Sequence, residues 1–199
     1  MARLALNKSS LTRQISQLKS YKEYLPSLDL KRRQLIAEKA KARARVNEIK
    51  TKVDALNPLI EQNIPMLSNT EIELTDLVTV TDVQCGKENI VGTWLPTLSK
   101  VDMDVRDYAL LGKPHWVDRL VELLKTALHL HIEQQVAEQR LNLLEKAVRT
   151  ITQRVNLFDK VLIPRTQTNI KKIQVFLSDG ERAAVVRSKI AKAKKVSVM

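Results

Sequence analysis

From Trp116 to Leu162, apolar side chains recur at alternating spacings of four and three residues. The positions are Trp116, Leu120, Leu123, Ala127, Leu130, Gln134, Ala137, Leu141, Leu144, Val148, Ile151, Val155, Phe158 and Leu162, and only Gln134 is polar. A stripe repeating every 3.5 residues keeps one side of a helix turned toward a partner helix. At 1.5 Å per residue this stretch spans about 70 Å, whereas an ordinary globular helix runs roughly 8–20 residues. The pattern predicts a long coiled-coil helix, whose role is mechanical or connective before it is chemical.

The N-terminal part carries a weaker version of the same pattern. Leu11, Ile15, Leu18 and Leu25 share one face, interrupted by Lys22. Pro26 removes a backbone donor and disfavours helix at Leu25, and Leu28 follows Leu25 one residue early for this face. A kink or short break is expected there, with Ser27 as a cap for the next segment. The stripe resumes at Leu28, Leu35, Ala42, Val46, Ile49, Val53, Leu56 and Ile60, with Arg32 and Lys39 in two seam positions. Pro58 and Pro65 place the helix end between Leu56 and Met66.

Residues 66–115 change character. Leu77 to Val83 alternates as a strand does, Gly86-Lys87-Glu88-Asn89 is a turn candidate, and Ile90 to Leu95 fits a returning strand. Val101, Met103 and Val105 suggest a further short extended piece. Gly112 and Pro114 precede the C-terminal helix. Near its end, Pro164 should bend that helix. Beyond it the seam resumes in shifted phase at Thr166, Ile170, Ile173 and Leu177. Gly180 weakens the last stretch, which is expected to run to about Lys195.

These elements predict a mainly α fold. The N- and C-terminal helices form a long antiparallel two-helix coiled coil, and the insert between them is small, mixed and contains a β-hairpin. The boundaries are residues 1–65 for the N-terminal helix kinked near Pro26, 66–115 for the insert, and 116–199 for the C-terminal helix kinked near Pro164. Folding back lets the two seams satisfy each other. Both termini then lie at one end and the insert at the other.

Charge sharpens the picture. The chain has 199 residues and a net charge of +12. Residues 1–52 hold 14 basic and 4 acidic residues, while residues 61–104 hold 2 basic and 8 acidic ones. Arg187, Lys189, Lys192, Lys194 and Lys195 close the chain without an acid among them. The ends and the middle are expected to meet different partners. One cysteine, Cys85, and no secretory apolar run at the start point to a reducing, cytoplasmic setting.

Catalytic chemistry is not visible. Gly86-Lys87 is followed by glutamate and lacks the upstream glycine of a phosphate loop. His129 and His131 are two apart on a helix and point to different faces, so they do not make a metal pair. No catalytic, cofactor-binding or metal-ligating residues are assigned, and no cofactor is expected. Trp116 begins the seam and reads as a core plug. Trp94 reads equally as core or as an anchor for a partner.

Two stretches carry a resemblance. The first is Ser10-Leu11 through Leu18-Lys19, then Leu28-Asp29-Leu30-Lys31-Arg32-Arg33 and Leu35. The second is Asn156-Leu157-Phe158-Asp159-Lys160-Val161-Leu162-Ile163-Pro164, followed by Ile170, Ile173, Leu177 and Glu181-Arg182. Their order and spacing resemble the D-subunit family of V/A-type rotary ATPases. Gly86-x-Glu88-Asn89-Ile90-x-Gly92, the Leu25-Pro26 pair and Lys189-Ile190-Ala191-Lys192 look like its bacterial branch. Asn169, Asp179 and Gly180 depart from the family pattern.

The resemblance implies a non-catalytic central rotor shaft, cytoplasmic and peripheral to the membrane. One tip, with Lys8, Arg13, Arg182, Arg187, Lys189, Lys192 and Lys194, would enter a hexamer of A and B subunits that hold the nucleotide sites. The insert, with Glu88, Asn89 and Trp94, would contact the small F subunit and the socket subunit called C or d. No nucleic acid is implied, and the membrane is reached only through the complex. A basic coiled-coil protein that binds nucleic acid, or an adaptor, is the alternative.

Overall fold

The computed structural model describes residues 4–63, 77–106 and 116–196. The fold is mainly α. It is an antiparallel two-helix coiled coil whose insert is a two-stranded antiparallel hairpin. Helix α1 runs Lys8–Asn63, strand β1 Val78–Ile90, strand β2 Thr93–Val105 and helix α2 Trp116–Asn156. A π-helical turn, Leu157–Leu162, joins α2 to helix α3, Ile163–Val196. Met66, Gly112 and Pro114, on which part of the sequence reading rested, lie outside the described residues, as does Pro65. The chain divides into two compact units. One holds Met1–Arg32 with Thr150–Met199, the other Arg33–Arg149.

Helix α1 begins at a side-chain cap. Asn7 Oδ1 accepts the Ser10 N–H at 2.7 Å, and the Asn7 carbonyl accepts the Leu11 N–H at 3.1 Å. The break expected at Pro26 is absent, since α1 is continuous through it. Ser27 does not cap a new helix either. Its Oγ donates to the Tyr24 carbonyl at 2.8 Å, inside the helix.

The phase slip read at Leu25 is also absent, because the N-terminal seam uses other residues. It runs Leu11, Gln14, Leu18, Tyr21, Leu25, Leu28, Arg32, Leu35, Lys39, Ala42, Val46, Ile49, Val53, Leu56 and Ile60, in unbroken three-four alternation, and none of these is exposed. Ile15, expected on the seam, is 49% exposed. Gln14 and Tyr21 replaced apolar signposts with polar or amphipathic ones, so the sequence pattern pointed one residue off. Tyr21 holds its place by setting its ring edge-on to Phe158, with centroids 5.5 Å apart at 89°.

In the Arg33–Arg149 unit, seam residues Leu35, Ile49 and Leu144 are fully buried. The flanks are laced by ion pairs between the two helices. Lys39 reaches Glu145 at 2.9 Å and Lys50 reaches Glu138 at 3.1 Å. The pair with Glu145 explains how a lysine occupies a seam position. Arg45 bridges Glu133 at 2.6 Å and Glu48 at 2.9 Å. Trp116 is buried as expected of a plug, in a cluster with Leu77, Val117, Leu120 and Leu123, against which Ile60 and Leu124 pack.

Among the described residues, the insert is one longer hairpin instead of several short pieces. Val101, Met103 and Val105 pair with Val83, Val80 and Val78 and so belong to β2. The turn expected at Gly86–Asn89 lies instead at Val91-Gly92, with Ile90 opposite Thr93. Both turn residues have positive φ, 52° at Val91 and 79° at Gly92, the signature of the two-residue turn that matches strand twist. Asn89 Oδ1 accepts the Gly92 N–H at 2.8 Å and fastens it. Gly86 is within the strand because a Cβ there would meet Thr97 Oγ1 at 2.8 Å across the ladder. Glycine therefore served cross-strand approach at position 86 and the turn at position 92. The base of the hairpin closes through the Arg106 N–H to the Leu77 carbonyl, at 3.1 Å.

Candidate functional site

Two surfaces hold the residues that sequence reading singled out, one in each unit. In the unit containing both chain ends, α3 is buried only up to a point. Thr166, Ile170 and Ile173 are buried and Leu177 is half-buried, but every residue from Asp179 to Lys194 is exposed. A helix with no covered face derives little stability from within the chain. This stretch bears Arg182, Arg187, Lys189, Lys192 and Lys194, interleaved with exposed Val185, Val186 and Ile190. The contacts of Arg182 and Arg187 are weak or local. Arg182 stands 4.0 Å from Asp179, and Arg187 Nε donates to the Ala183 carbonyl at 3.2 Å. Lys8 and Arg13 are exposed on the first turns of α1, in the same unit. The surface combines apolar area with positive charge, which suits a protein partner with acidic groups around an apolar lining.

In the other unit the hairpin carries the second surface. Strand alternation sends Leu95 into the interior, fully buried, and leaves its neighbour Trp94 63% exposed. Trp94 lines a cleft of about 500 Å³ with Cys85, Gly86, Lys87, Pro96 and the α2 residues Gln139 and Leu143. Glu88 and Asn89 are engaged internally. Glu88 accepts Arg140 Nη2 at 2.8 Å and ties the hairpin to α2, while Asn89 closes the turn. Of the three insert residues, Trp94 is the one that presents a large apolar surface outward. Sequence reasoning missed Leu143 and Arg140. The signal for Leu143 was available, since it is a leucine beside the seam residue Leu144, where a coiled-coil flank is usually polar.

Three glutamates on the coiled coil have carboxyls held below the ordinary carboxylate range. For Glu48 the causes are hydrogen bonds from Lys52 and then Arg45. For Glu138 they are hydrogen bonds from Gln134 and then Lys50, and for Glu145 the bond from Lys39. Glu138 and Glu145 join α2 to α1, whereas the partners of Glu48 lie on its own helix. Among the described residues, no cluster of histidine, cysteine, aspartate and glutamate is placed to hold a metal ion. Among the same residues, no helix is long and apolar enough to cross a membrane.

The sequence model of the ATP synthase D-subunit family matches residues 10–193. The chain is similar to the V-type ATP synthase D subunit of Borreliella burgdorferi, 35% identical over 193 residues that cover 97% of this chain and 95% of the relative. It is also similar to the V-type ATP synthase D subunit of Chlamydia muridarum, 32% identical over 200 residues, covering 97% and 96%. Together with the coiled coil and its hairpin insert, these matches show that the chain belongs to the ATP synthase D-subunit family and is one of the subunits of a V/A-type ATPase.

Proposed function

We propose that this chain is the non-catalytic central rotor of its complex, cytoplasmic and peripheral to the membrane. It couples ATP hydrolysis or synthesis in a hexamer of A and B subunits to ion transport through the membrane ring. The catalytic residues lie on those other chains. The exposed end of α3, with Arg182, Arg187, Lys189, Lys192 and Lys194, enters the hexamer cavity together with Lys8 and Arg13. The hairpin, through Trp94 with Glu88 and Asn89 behind it, faces the small F subunit and the socket subunit called C or d.

The observation that carries this reading is the uncovered end of α3. The seam residues of α1 and α2 are covered, yet from Asp179 to Lys194 every residue of the helix is exposed. Such a segment gains its order from a partner. Interleaved valines and cations suit an apolar sleeve with acidic groups, where most side-chain contacts are individually weak and no one angular position is a deep trap. A seam of buried aliphatic residues flanked by ion pairs resists twisting, as torque transmission requires.

The test is reconstitution of the complex with and without this chain. With it, ATP hydrolysis drives ion transport. In a variant carrying Arg182→Gln, Arg187→Gln, Lys189→Gln and Lys192→Gln, the chain leaves the A and B subunits at lower salt and transport per ATP falls. Ion transport by a complex of the remaining subunits that lacks this chain refutes the rotor role.

A further inference from the structure

The two helices of the coiled coil do not keep the same count. In α1 the seam alternates three and four residues without interruption from Leu11 to Ile60. The C-terminal seam does the same from Trp116 to Leu162. Continued in strict alternation, it would then fall on Arg165, Asn169, Lys172 and Phe176. The structure instead covers Thr166, Ile170, Ile173 and Leu177, each one residue later, and leaves Arg165, Lys172 and Phe176 exposed. The C-terminal side therefore contains one residue more than a heptad seam accommodates.

That residue is taken up where the phase changes. Leu157–Leu162 is π-helical, and the Ile163 N–H reaches back five residues to the Phe158 carbonyl. A π turn is an α turn widened by one residue. None of its six residues is buried, and Leu157 and Val161 are about half exposed. Pro164 follows at once and has no N–H to offer the Lys160 carbonyl. One turn later, Thr166 Oγ1 donates to the Leu162 carbonyl at 2.7 Å, which satisfies the one buried hydroxyl of this seam.

We propose that Leu157–Leu162 is a one-residue phase adapter, held by the packing of Thr166, Ile170 and Ile173 beyond it, and that it is the torsional soft point of the C-terminal helix. The seam phase sets it and Pro164 accommodates it. If α3 slipped back by one residue to restore an unbroken α-helix, Arg165 and Lys172 would turn onto the seam and Thr166 and Ile173 would leave it. The widened turn is the less unfavourable arrangement. A π turn, the lack of any fully buried residue and a missing donor then coincide within two turns, so twist and local opening concentrate there.

The full chain tests this through three variants, read by thermal unfolding and by amide hydrogen exchange. Deleting Val161 moves Ile163 into the seam position of Leu162 and carries Thr166, Ile170, Ile173 and Leu177 onto the unbroken heptad. Deleting Gln135 instead moves Glu138, Asn142, Glu145 and Arg149 into seam positions. In the parent chain, amides of residues 158–163 are expected to exchange at least about tenfold faster than those of Ile151 and Ile173. Deleting Val161 should keep the melting temperature within about 3 °C and remove that fast exchange, whereas deleting Gln135 should lower it by more than about 10 °C. Pro164→Ala should leave the fast exchange in place, since the phase mismatch remains. The proposal is overturned if deleting Val161 is as damaging as deleting Gln135. It is equally overturned if Pro164→Ala alone restores slow exchange, or if the parent shows no fast exchange at this turn.

Discussion

Leu143 and Leu144 are neighbours of the same residue type, and the seam assignment gives them opposite consequences. Leu144 is 0% exposed and Leu143 38% exposed, because successive residues on a helix point about 100° apart. Truncating a leucine to alanine removes three carbons, or about 2.4 kcal/mol of transfer free energy at about 0.8 kcal/mol per buried carbon. At Leu144 nothing but the facing helix can collapse into the space, so a cavity contribution adds to this and the total reaches about 3–4 kcal/mol. For a chain of this length each kcal/mol shifts the melting temperature by roughly 2–4 °C. Leu144→Ala should therefore lower it by about 6–16 °C. At Leu143 solvent already covers more than a third of the side chain and no enclosed cavity forms, so Leu143→Ala should cost about 1 kcal/mol and shift melting by less than about 4 °C. Thermal denaturation followed by circular dichroism measures both. Equal losses at the two positions would refute the assignment of Leu144 to the seam and the 3.5-residue reading with it.

At the hairpin turn, Val91→Asn replaces a β-branched residue held at φ 52° by one that tolerates the left-handed region. Hairpin amides should then exchange about fivefold more slowly, equivalent to about 1 kcal/mol; faster exchange would show that Val91 is held by packing and not strained. The lowered carboxyls of Glu48, Glu138 and Glu145 make stability depend on acid. A group whose folded pKa is depressed contributes stability above its unfolded value, about 4.3 for glutamate, and loses it as pH falls through the folded value. Melting temperature should be flat from about pH 7 to about pH 5 and fall below that, and Glu145→Gln should flatten part of the fall. On the hairpin surface, Trp94→Ala should leave melting nearly unchanged and weaken association with the small partner subunits about thirtyfold, as loss of a hot spot does. Unchanged association in a pull-down titration would remove Trp94 from the interface.

How much of this was legible in the sequence follows from how each element is specified. The C-terminal helix was legible because its seam is almost purely aliphatic and repeats over 47 residues, so no short-range accident obscures it. The N-terminal seam was misread by one residue before Pro26. Gln14 and Tyr21 occupy seam positions while Ile15 faces out, and a pattern built on apolar residues follows Ile15. The apparent slip at Pro26 follows from that one substitution of Ile15 for Gln14. A proline inside a long coiled coil is overridden when packing on both sides holds the helix, which no local propensity reveals. The hairpin turn was misplaced because Gly86 and Gly92 look alike in sequence. Only the strand pairing distinguishes a glycine that admits Thr97 from one that turns the chain. The shift at Pro164 was read correctly as a change of phase, but a kink and a π turn predict the same apolar spacing. What separates them is the unbroken count on α1, and that count becomes visible only once Gln14 and Tyr21 are recognised as seam residues. The error at one end of the coiled coil therefore hid the meaning of the irregularity in the other helix.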